Sequence, residues 1–237
     1  MQTKLACHTA SLYFWYSDQE YVSHLDDRIH ACLDAGCDGV EISNGVFGIL
    51  DWQPAKETLS RLRRPEVVLT IHAELAAGVT VMDLTRKLAA LALPVCNIVF
   101  HPTELLLLCD LSQLSWPVSI ENMDSMASAW QTCWEVSQMM TSSHSTGFTY
   151  DTAHIMENRI NPMSFASLFP PTEVHLSISK WDGSSGTKYV MTNNQSWFPY
   201  IPSGTSLIVL EGVMPDREAL EQEVEYVREM LSKRGFF

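Results

Sequence analysis

The chain has 237 residues, of which 46% are hydrophobic and 18% are charged, as in an ordinary globular protein. This length suffices for one barrel-sized domain and is short for two average domains. The formal net charge of −13 disfavours binding to nucleic-acid backbones and to anionic membranes. We therefore expect neither nucleic acid nor a membrane as a partner.

The six cysteines are scattered along the chain without a CxxC pair. This usage is typical of buried free thiols in a reducing compartment. The first residues lack the apolar run of about 7–15 residues that a signal peptide needs, and no apolar run is long enough to span a bilayer. We expect a cytoplasmic location.

Short runs rich in β-branched residues alternate with longer stretches of helical periodicity, which indicates βα units around a parallel sheet. In chain order, strands are predicted at 4–8, 39–42, 67–72, 97–101, 118–121, 147–151, 173–177 and 206–211. Helices are predicted at 19–35, 54–64, 81–93, 104–114, 124–140, 162–169 and 216–233. Asp18 and Asp124 are expected to cap helices, Pro54 to open one, and Gly36 to follow the first.

Eight strands alternating with about as many helices predict a single (β/α)₈ TIM barrel over residues 1–237. A doubly wound open sheet is the alternative, but no GxGxxG follows the first strand. Residues 178–205 do not follow this alternation of strands and helices, because they are rich in Gly, Ser, Asn, Trp and Pro and show little helical periodicity. We expect a lid or binding loop there, and a seventh helix that the pattern conceals is the other interpretation.

Ionisable side chains stand within two residues of the carboxyl end of every predicted strand. They are His8, Glu41, His72, His101, Glu121, Asp151, His175 and Glu211. Side chains alternate along a strand, so Thr70 lies on the same face as His72, and bulky Ile71 lies on the opposite face. We therefore expect the polar set to point towards the barrel axis.

In a parallel barrel all these strand ends meet at one face, which is where such barrels carry their active sites. Taken singly, a strand-end histidine can be a hydrogen-bonded core residue, Asp151 can cap a helix and Glu121 can bind a loop. If all these imidazoles and carboxylates converge, the like-charged carboxylates repel one another and lose their water, and both effects are unfavourable without a cation. A divalent metal accepts both kinds of ligand, so the pattern favours a metal site.

Several segments resemble the xylose-isomerase-like barrels, which include sugar isomerases, ketose 3-epimerases and an endonuclease IV branch. They are GCDGVEIS (36–43), TIHAEL (70–75), VFHPTE (99–104), SIENMD (119–124), YDTAHIM (150–156), EVHLSIS (173–179) and VLEG (209–212). Their order and spacing cover nearly the whole chain. The resemblance implies the same fold and a dependence on metal.

The resemblance to the epimerase branch implies one divalent ion held by Glu121, Asp151, His175 and Glu211. Mn²⁺ is expected, with Mg²⁺, Co²⁺ and Zn²⁺ as alternatives. By the same resemblance, Glu121 and Glu211 would be the catalytic acid/base pair. One would remove a proton and the other would return it through an enediolate, while the metal polarises the neighbouring carbonyl.

Other strand-end and loop residues are assigned to the substrate or to a second metal. His154 matches a position that contacts substrate hydroxyls in the epimerase branch. The complete set of expected substrate contacts is His154, His8, Glu41 and Lys180. His72 and His101 match zinc ligands of the endonuclease IV branch, and they are assigned either to a second metal or to the substrate.

The leading hypothesis is therefore a metal-dependent isomerase or epimerase of a sugar or related polyhydroxy carbonyl compound. A metal-dependent lyase or dehydratase would use the same first proton transfer. A multi-zinc phosphodiesterase like endonuclease IV is disfavoured, because 178–205 contains Asp182 but no histidine for a third zinc site. A non-catalytic relative that has kept only the fold is the last alternative.

Overall fold

The computed structural model describes residues 2–12, 22–43, 49–73, 80–102, 110–123, 129, 131–179, 188–189, 191 and 201–237. Its strands are β1 (Lys4–His8), β2 (Gly39–Ser43), β3 (Val68–Ala73), β4 (Val95–Phe100), β5 (Val118–Glu121), β6 (Gly147–Asp151), β7 (Glu173–Leu176), β8 (Ile178–Ser179), β9 (Lys188–Tyr189) and β10 (Leu207–Leu210). All except β8 and β9 form a closed parallel barrel in the order β1-β10-β7-β6-β5-β4-β3-β2. The predicted TIM barrel is confirmed, and the open sheet is excluded.

The helices are α1 (Leu25–Asp34), α2 (Lys56–Leu62), α3 (Val81–Leu91), α4 (Cys133–Ser143), α5 (Thr152–Glu157), α6 (Pro162–Leu168) and α7 (Arg217–Ser232). Each predicted helix that falls on described residues is present, except that the part of 104–114 described here is a 3₁₀ turn at Leu111–Gln113. Among the described residues, no helix has both the length and the apolar character needed to cross a bilayer.

Local capping and backbone conformation at the first turn show why α4 and α2 begin later than predicted. Thr132 and Glu135 form a capping box, so α4 starts at Cys133 rather than near 124. Pro54 is not the first helical residue of α2, because Ala55 is still extended and serves as the N-cap. Asp18 and Asp124, the two predicted caps, lie outside the described residues.

Helix α5 was not predicted, and it follows directly after the last residue of β6. Its N-cap is Asp151, whose Oδ1 accepts a hydrogen bond of 2.9 Å from the His154 amide. With only six residues, α5 is too short to produce a readable helical period. In the described part of 178–205, β8 and β9 pair antiparallel instead of forming a seventh helix.

The barrel interior is divided into an apolar floor and a polar upper part. Ala6, Val68, Leu207 and Val209 form a small apolar cluster separate from the large core, and Val68 and Leu207 are the first residues of β3 and β10. Residues that alternate with the inward-facing set, such as Ile71 and Tyr150, belong to the large core between the strands and the helices. The predicted alternation therefore holds, and the polar strand-end residues point inward.

The prediction of buried free thiols holds for only part of the described cysteines. Cys7, Cys32 and Cys37 are free and buried, in line with the prediction. It is wrong for Cys96, which is exposed, and for Cys133, which is half-buried at the start of α4. Cys109 lies outside the described residues.

Candidate metal centre

The four predicted metal ligands come together at the carboxyl ends of neighbouring strands. Ligand atoms of Glu121, Asp151, His175 and Glu211 all lie within 4.8 Å of one another, and all four residues are buried. Parallel register produces this grouping, because β5 pairs with β6 and β6 pairs with β7, so that Asp151 is opposite His175. Glu211 follows directly after β10.

Asn122, the residue after β5, is hydrogen-bonded to the backbone of Asp151 at the end of β6. Its Oδ1 accepts a 2.9 Å hydrogen bond from the Asp151 amide, and its Nδ2 donates to the Asp151 carbonyl at 3.2 Å. The carbonyl of Asn122 also accepts from His154 Nδ1 at 2.7 Å. Since a carbonyl can only accept, Nδ1 of His154 carries a proton. Asn122 is therefore a functional neighbour that the sequence analysis missed.

Glu121 is the hub of the cluster, because each of its oxygens faces two histidines. Oε2 lies 3.0 Å from His72 Nε2 and 3.3 Å from His101 Nε2. Oε1 lies 3.4 Å from His154 Nδ1 and 3.4 Å from His175 Nδ1. One carboxylate thus connects the predicted metal ligands with both histidines assigned to a second metal or to the substrate.

The ring of His175 is enclosed by carboxylates on both edges. Its Nδ1 is 3.3 Å from Glu211 Oε1 and 3.4 Å from Glu121 Oε1. Its Nε2 is 3.4 Å from Glu41 Oε2 and 3.5 Å from Glu173 Oε1. Within the described part of the chain, neither ring nitrogen forms a hydrogen bond of acceptable geometry.

These unsatisfied atoms test whether the cluster suits a metal ion. Glu121 Oε1 and His175 Nδ1 are both buried, face each other and have no hydrogen bond among the described residues. Buried polar atoms are nearly always satisfied, so such a pair calls for a further partner. A divalent cation bound by both would satisfy both, and three carboxylates with one imidazole are a ligand set that Mn²⁺ and related ions accept. The residues therefore fit a metal ion.

A second group of three potential ligands adjoins the first. His72, His101 and Glu121 bring ligand atoms within 4.8 Å of one another, and the two imidazole rings are 4.5 Å apart. A further combination joins Glu41, His72, His175 and Glu211. His8 is more distant, with its Nδ1 3.9 Å from Glu211 Oε1.

Burial and mutual contact shift the pKa values of the cluster in opposite directions. Burial lowers the pKa of His8 to about 4. Burial also disfavours the charged form of His72, but the hydrogen bond and charge of Glu121 outweigh it and raise the pKa to about 9. Despite burial, His175 and His101 hold the pKa of Glu121 well below its usual range. Protonated imidazoles thus balance part of the negative charge when no metal is bound.

The same effects shift the pKa values of two other buried carboxylates, Glu41 and Glu173, in opposite directions. Burial opposes the charge of Glu41, but the nearby His175 outweighs it and lowers the pKa to about 2. Burial and then the Glu41 charge raise the pKa of Glu173 to about 7. The sequence analysis did not select Glu173, although it lies two residues before His175 and so shares its face of β7.

The remaining predicted site residues fall into two groups. Glu41, His72, His101 and His154 all lie within the cluster, and His8 lies at its edge. Lys180 lies outside the described residues, so its predicted contact with the substrate stays a prediction.

Comparison with known proteins identifies the fold of this chain but does not assign it to a family. No family profile matches the chain, and neither does any curated protein sequence. Among solved structures, it resembles a D-tagatose 3-epimerase-like protein with a TM-score of 0.65 and 14% identity, over 98% of both chains. It also resembles D-psicose 3-epimerase from Clostridium cellulolyticum H10, with a TM-score of 0.61 and 13% identity, over 97% of this chain and 99% of that one.

A third similar structure is the sugar phosphate isomerase/epimerase from Parabacteroides distasonis. The TM-score is 0.58 and the identity 16%, over 98% of this chain and 99% of that one. The expected resemblance to xylose-isomerase-like barrels is therefore confirmed at the level of fold. At such identities the comparison shows the fold alone.

Proposed function

We propose that this protein is a divalent-metal-dependent isomerase or epimerase that acts on a sugar or a related polyhydroxy carbonyl compound. The observation that carries the proposal is the buried convergence of Glu121, Asp151, His175 and Glu211, with ligand atoms within 4.8 Å of one another. The fold likeness to barrels described as ketose 3-epimerases and as a sugar phosphate isomerase/epimerase supports the reaction class. A cytoplasmic location is part of the same proposal.

Those four residues would hold one metal ion, with Mn²⁺ expected and Mg²⁺, Co²⁺ or Zn²⁺ as alternatives. When bound, the ion would polarise the substrate carbonyl and make the adjacent C–H more acidic. The mixed set of carboxylates and imidazole is compatible with each of these metals, so the protein's own residues do not select one.

Glu121 and Glu211 are the proposed acid/base pair. They approach His175 Nδ1 from two different strands, at 3.4 Å and 3.3 Å, so they border the same space from separate directions. The low pKa of Glu121 keeps that carboxylate charged at neutral pH, as a metal ligand must be. A proton removed by one carboxylate and returned by the other would convert the substrate through an enediolate.

The proposed substrate contacts surround this pair. His154 has its Nδ1 proton engaged by the Asn122 carbonyl, which leaves Nε2 as an acceptor for a hydroxyl group. His8 borders Glu211, and Lys180 and the rest of 178–205 are proposed to close over the mouth as a lid. Glu41 is predicted to have the same role, which stays a prediction, and its carboxylate is buried 3.4 Å from His175 Nε2.

Exchange of a substrate proton with solvent tests the reaction directly. The protein would be loaded with Mn²⁺ and incubated in D₂O with a panel of ketoses and aldoses, and deuterium on carbon would be followed by NMR. We expect deuterium in both substrate and product, and no exchange with Glu121→Gln or Glu211→Gln. Loss of water from the product would instead identify a lyase.

A matched control separates loss of chemistry from loss of folding. Glu157 is also buried, but its Oε1 accepts from Ser179 Oγ at 2.6 Å, away from the cluster. Glu157→Gln should therefore keep wild-type metal content and exchange activity. Metal analysis should find about one Mn²⁺-like ion per chain in the wild type and less in Glu211→Gln. A wild type that binds no metal, even after Mn²⁺ is added, would refute the proposal.

A two-metal hydrolase is the second candidate, and one observation favours it. His72, His101 and Glu121 form their own group of ligand atoms beside the first. Glu121 would then bridge two ions, an arrangement that suits hydrolysis of phosphoesters. Two zinc ions per chain, and loss of one of them in His101→Ala, would favour this candidate over isomerisation.

A further inference from the structure

A layer of buried polar side chains lies directly beneath the candidate metal centre. It contains Glu41, Thr70, Asn97, Ser119 and Glu173, all at most 1% exposed. They come from five different strands and point to the barrel axis between the apolar floor and the metal ligands. Burying two carboxylates at this depth is unfavourable unless their oxygens have polar partners, so the groups that these oxygens contact determine how unfavourable the burial is.

Hydrogen bonds hold Glu173 in one orientation. Asn97 Nδ2 donates to its Oε2 at 2.8 Å, and Thr70 Oγ1 lies 3.3 Å from its Oε1. Asn97 Nδ2 also donates to Ser119 Oγ at 2.8 Å, which fixes the amide in turn. One oxygen of Glu173 is therefore anchored to β4, and the other is directed to His175 Nε2 at 3.5 Å.

Glu41 approaches the same nitrogen from the opposite side of the barrel. Its Oε2 is 3.4 Å from His175 Nε2 and 3.2 Å from Thr70 Oγ1. A hydroxyl carries a single proton, so Thr70 can donate to only one of the two carboxylates at a time. The other carboxylate then faces the imidazole nitrogen without a hydrogen bond from Thr70.

We propose that Glu41 and Glu173 are positioning residues that hold the proton of His175 on Nε2 and thereby turn the lone pair of Nδ1 towards the metal. A neutral imidazole has one donor and one acceptor nitrogen, so fixing the proton on one edge fixes the ligand on the other. Carboxylates that accept from the outer nitrogen of a ligating histidine also make it a stronger ligand. This inference rests on the proposed function, because it requires a metal at Nδ1.

Glutamine at position 173 should disturb this arrangement without changing its size. One oxygen of the carboxylate accepts a hydrogen bond from Asn97 Nδ2, and the other faces His175 Nε2 at 3.5 Å. A glutamine has one acceptor oxygen, so it can serve only one of them and must present an NH₂ group to the other. Glu41→Gln removes the second acceptor in the same way, and Glu157→Gln is the matched buried control away from the cluster.

The test measures metal affinity and the position of the imidazole proton in the full-length chain. Mn²⁺ dissociation constants would be compared for the wild type, Glu173→Gln, Glu41→Gln and Glu157→Gln. We expect the first two variants to bind about 10–100-fold more weakly than the wild type, as for other outer-shell partners, and the control to be unchanged. Circular dichroism would confirm that all four proteins are folded.

Histidine ¹⁵N NMR of the Zn²⁺-loaded protein supplies a readout that a merely structural role would not change. The wild type should show His175 protonated at Nε2 and bound through Nδ1, and this signal should be altered in Glu173→Gln. Wild-type affinity and an unchanged signal in both variants would overturn the inference and leave the proposed function standing. Absence of Mn²⁺ and Zn²⁺ binding by the wild type would overturn both.

Discussion

Asp151 has two roles in the structure that a single substitution can separate. Its Oδ1 caps α5 by accepting from the His154 amide at 2.9 Å, and the residue also belongs to the four proposed metal ligands. Asparagine is about as good an N-cap as aspartate, whereas alanine cannot cap. Asp151→Asn should therefore remove the negative charge that a metal needs while keeping the cap.

The magnitudes follow from these two roles. Without metal, Asp151→Asn should unfold at nearly the wild-type free energy, whereas Asp151→Ala should lose about 0.5–2 kcal/mol through the missing cap. With free Mn²⁺ at 100 times its dissociation constant, the wild type should gain about 2.7 kcal/mol, because only the folded state binds the ion. Both variants should lose most of this gain.

Urea unfolding with EDTA and then with Mn²⁺ measures both effects in the same samples. Comparable losses for Asp151→Asn and Asp151→Ala in EDTA would contradict the capping argument. A full Mn²⁺-dependent gain in Asp151→Asn would show that Asp151 is not a ligand. Since the two results are independent, either argument can fail without the other.

Three further predictions concern the titration of the cluster and the scaffold around it. His175 has a pKa well above its usual range, because Glu211, Glu41 and Glu121 outweigh its burial, so it must lose a proton before it binds a metal. Apparent Mn²⁺ affinity should therefore rise with pH through the neutral range, and a flat profile in calorimetric titrations would contradict this. Gly39→Ala should destabilise the barrel by about 1–3 kcal/mol in urea unfolding, because a Cβ there would lie 2.0 Å from the Val68 carbonyl oxygen. If this variant were as stable as the wild type, β2 would be able to shift at little cost. Thr132→Ala should lower the unfolding free energy by about 1 kcal/mol through the capping box of α4, with Thr141→Ala on the exposed face of that helix as the control.

The sequence was most informative where side-chain periodicity and burial agree. The eight barrel strands were all predicted, because each combines a short apolar run with an ionisable residue near its carboxyl end. The barrel then brings those residues together. Helix starts were less predictable, because they depend on side-chain caps such as Thr132, which the apolar period does not reveal. Helix α5 was missed because its six residues are too few to show a helical period.

The layer beneath the metal centre shows a different limit of sequence reasoning. Alternation places Glu173 on the same face as His175, so its inward direction could have been predicted. Its partners could not, because Asn97 and Thr70 come from strands 76 and 103 residues away in the chain and meet it only through the stagger of the closed barrel. The sequence thus predicts which side chains gather at the strand ends. The contacts that orient each side chain depend on how the strands are aligned in the closed barrel, which the sequence does not show.

The distribution of polarity inside the barrel connects stability to the proposed chemistry. An apolar floor of Ala6, Val68, Leu207 and Val209 closes one end of the interior, and above it nearly every inward-facing position that the structure describes is polar or ionisable. A barrel selected for stability alone would fill these positions with branched apolar side chains, because buried carboxylates and imidazoles carry a desolvation penalty. Charge on Glu121 is tolerated here only because His72, His101, His154 and His175 surround it. Such an arrangement is expected where a cation completes the structure, and the same groups that the cation stabilises are then held in place to move a proton.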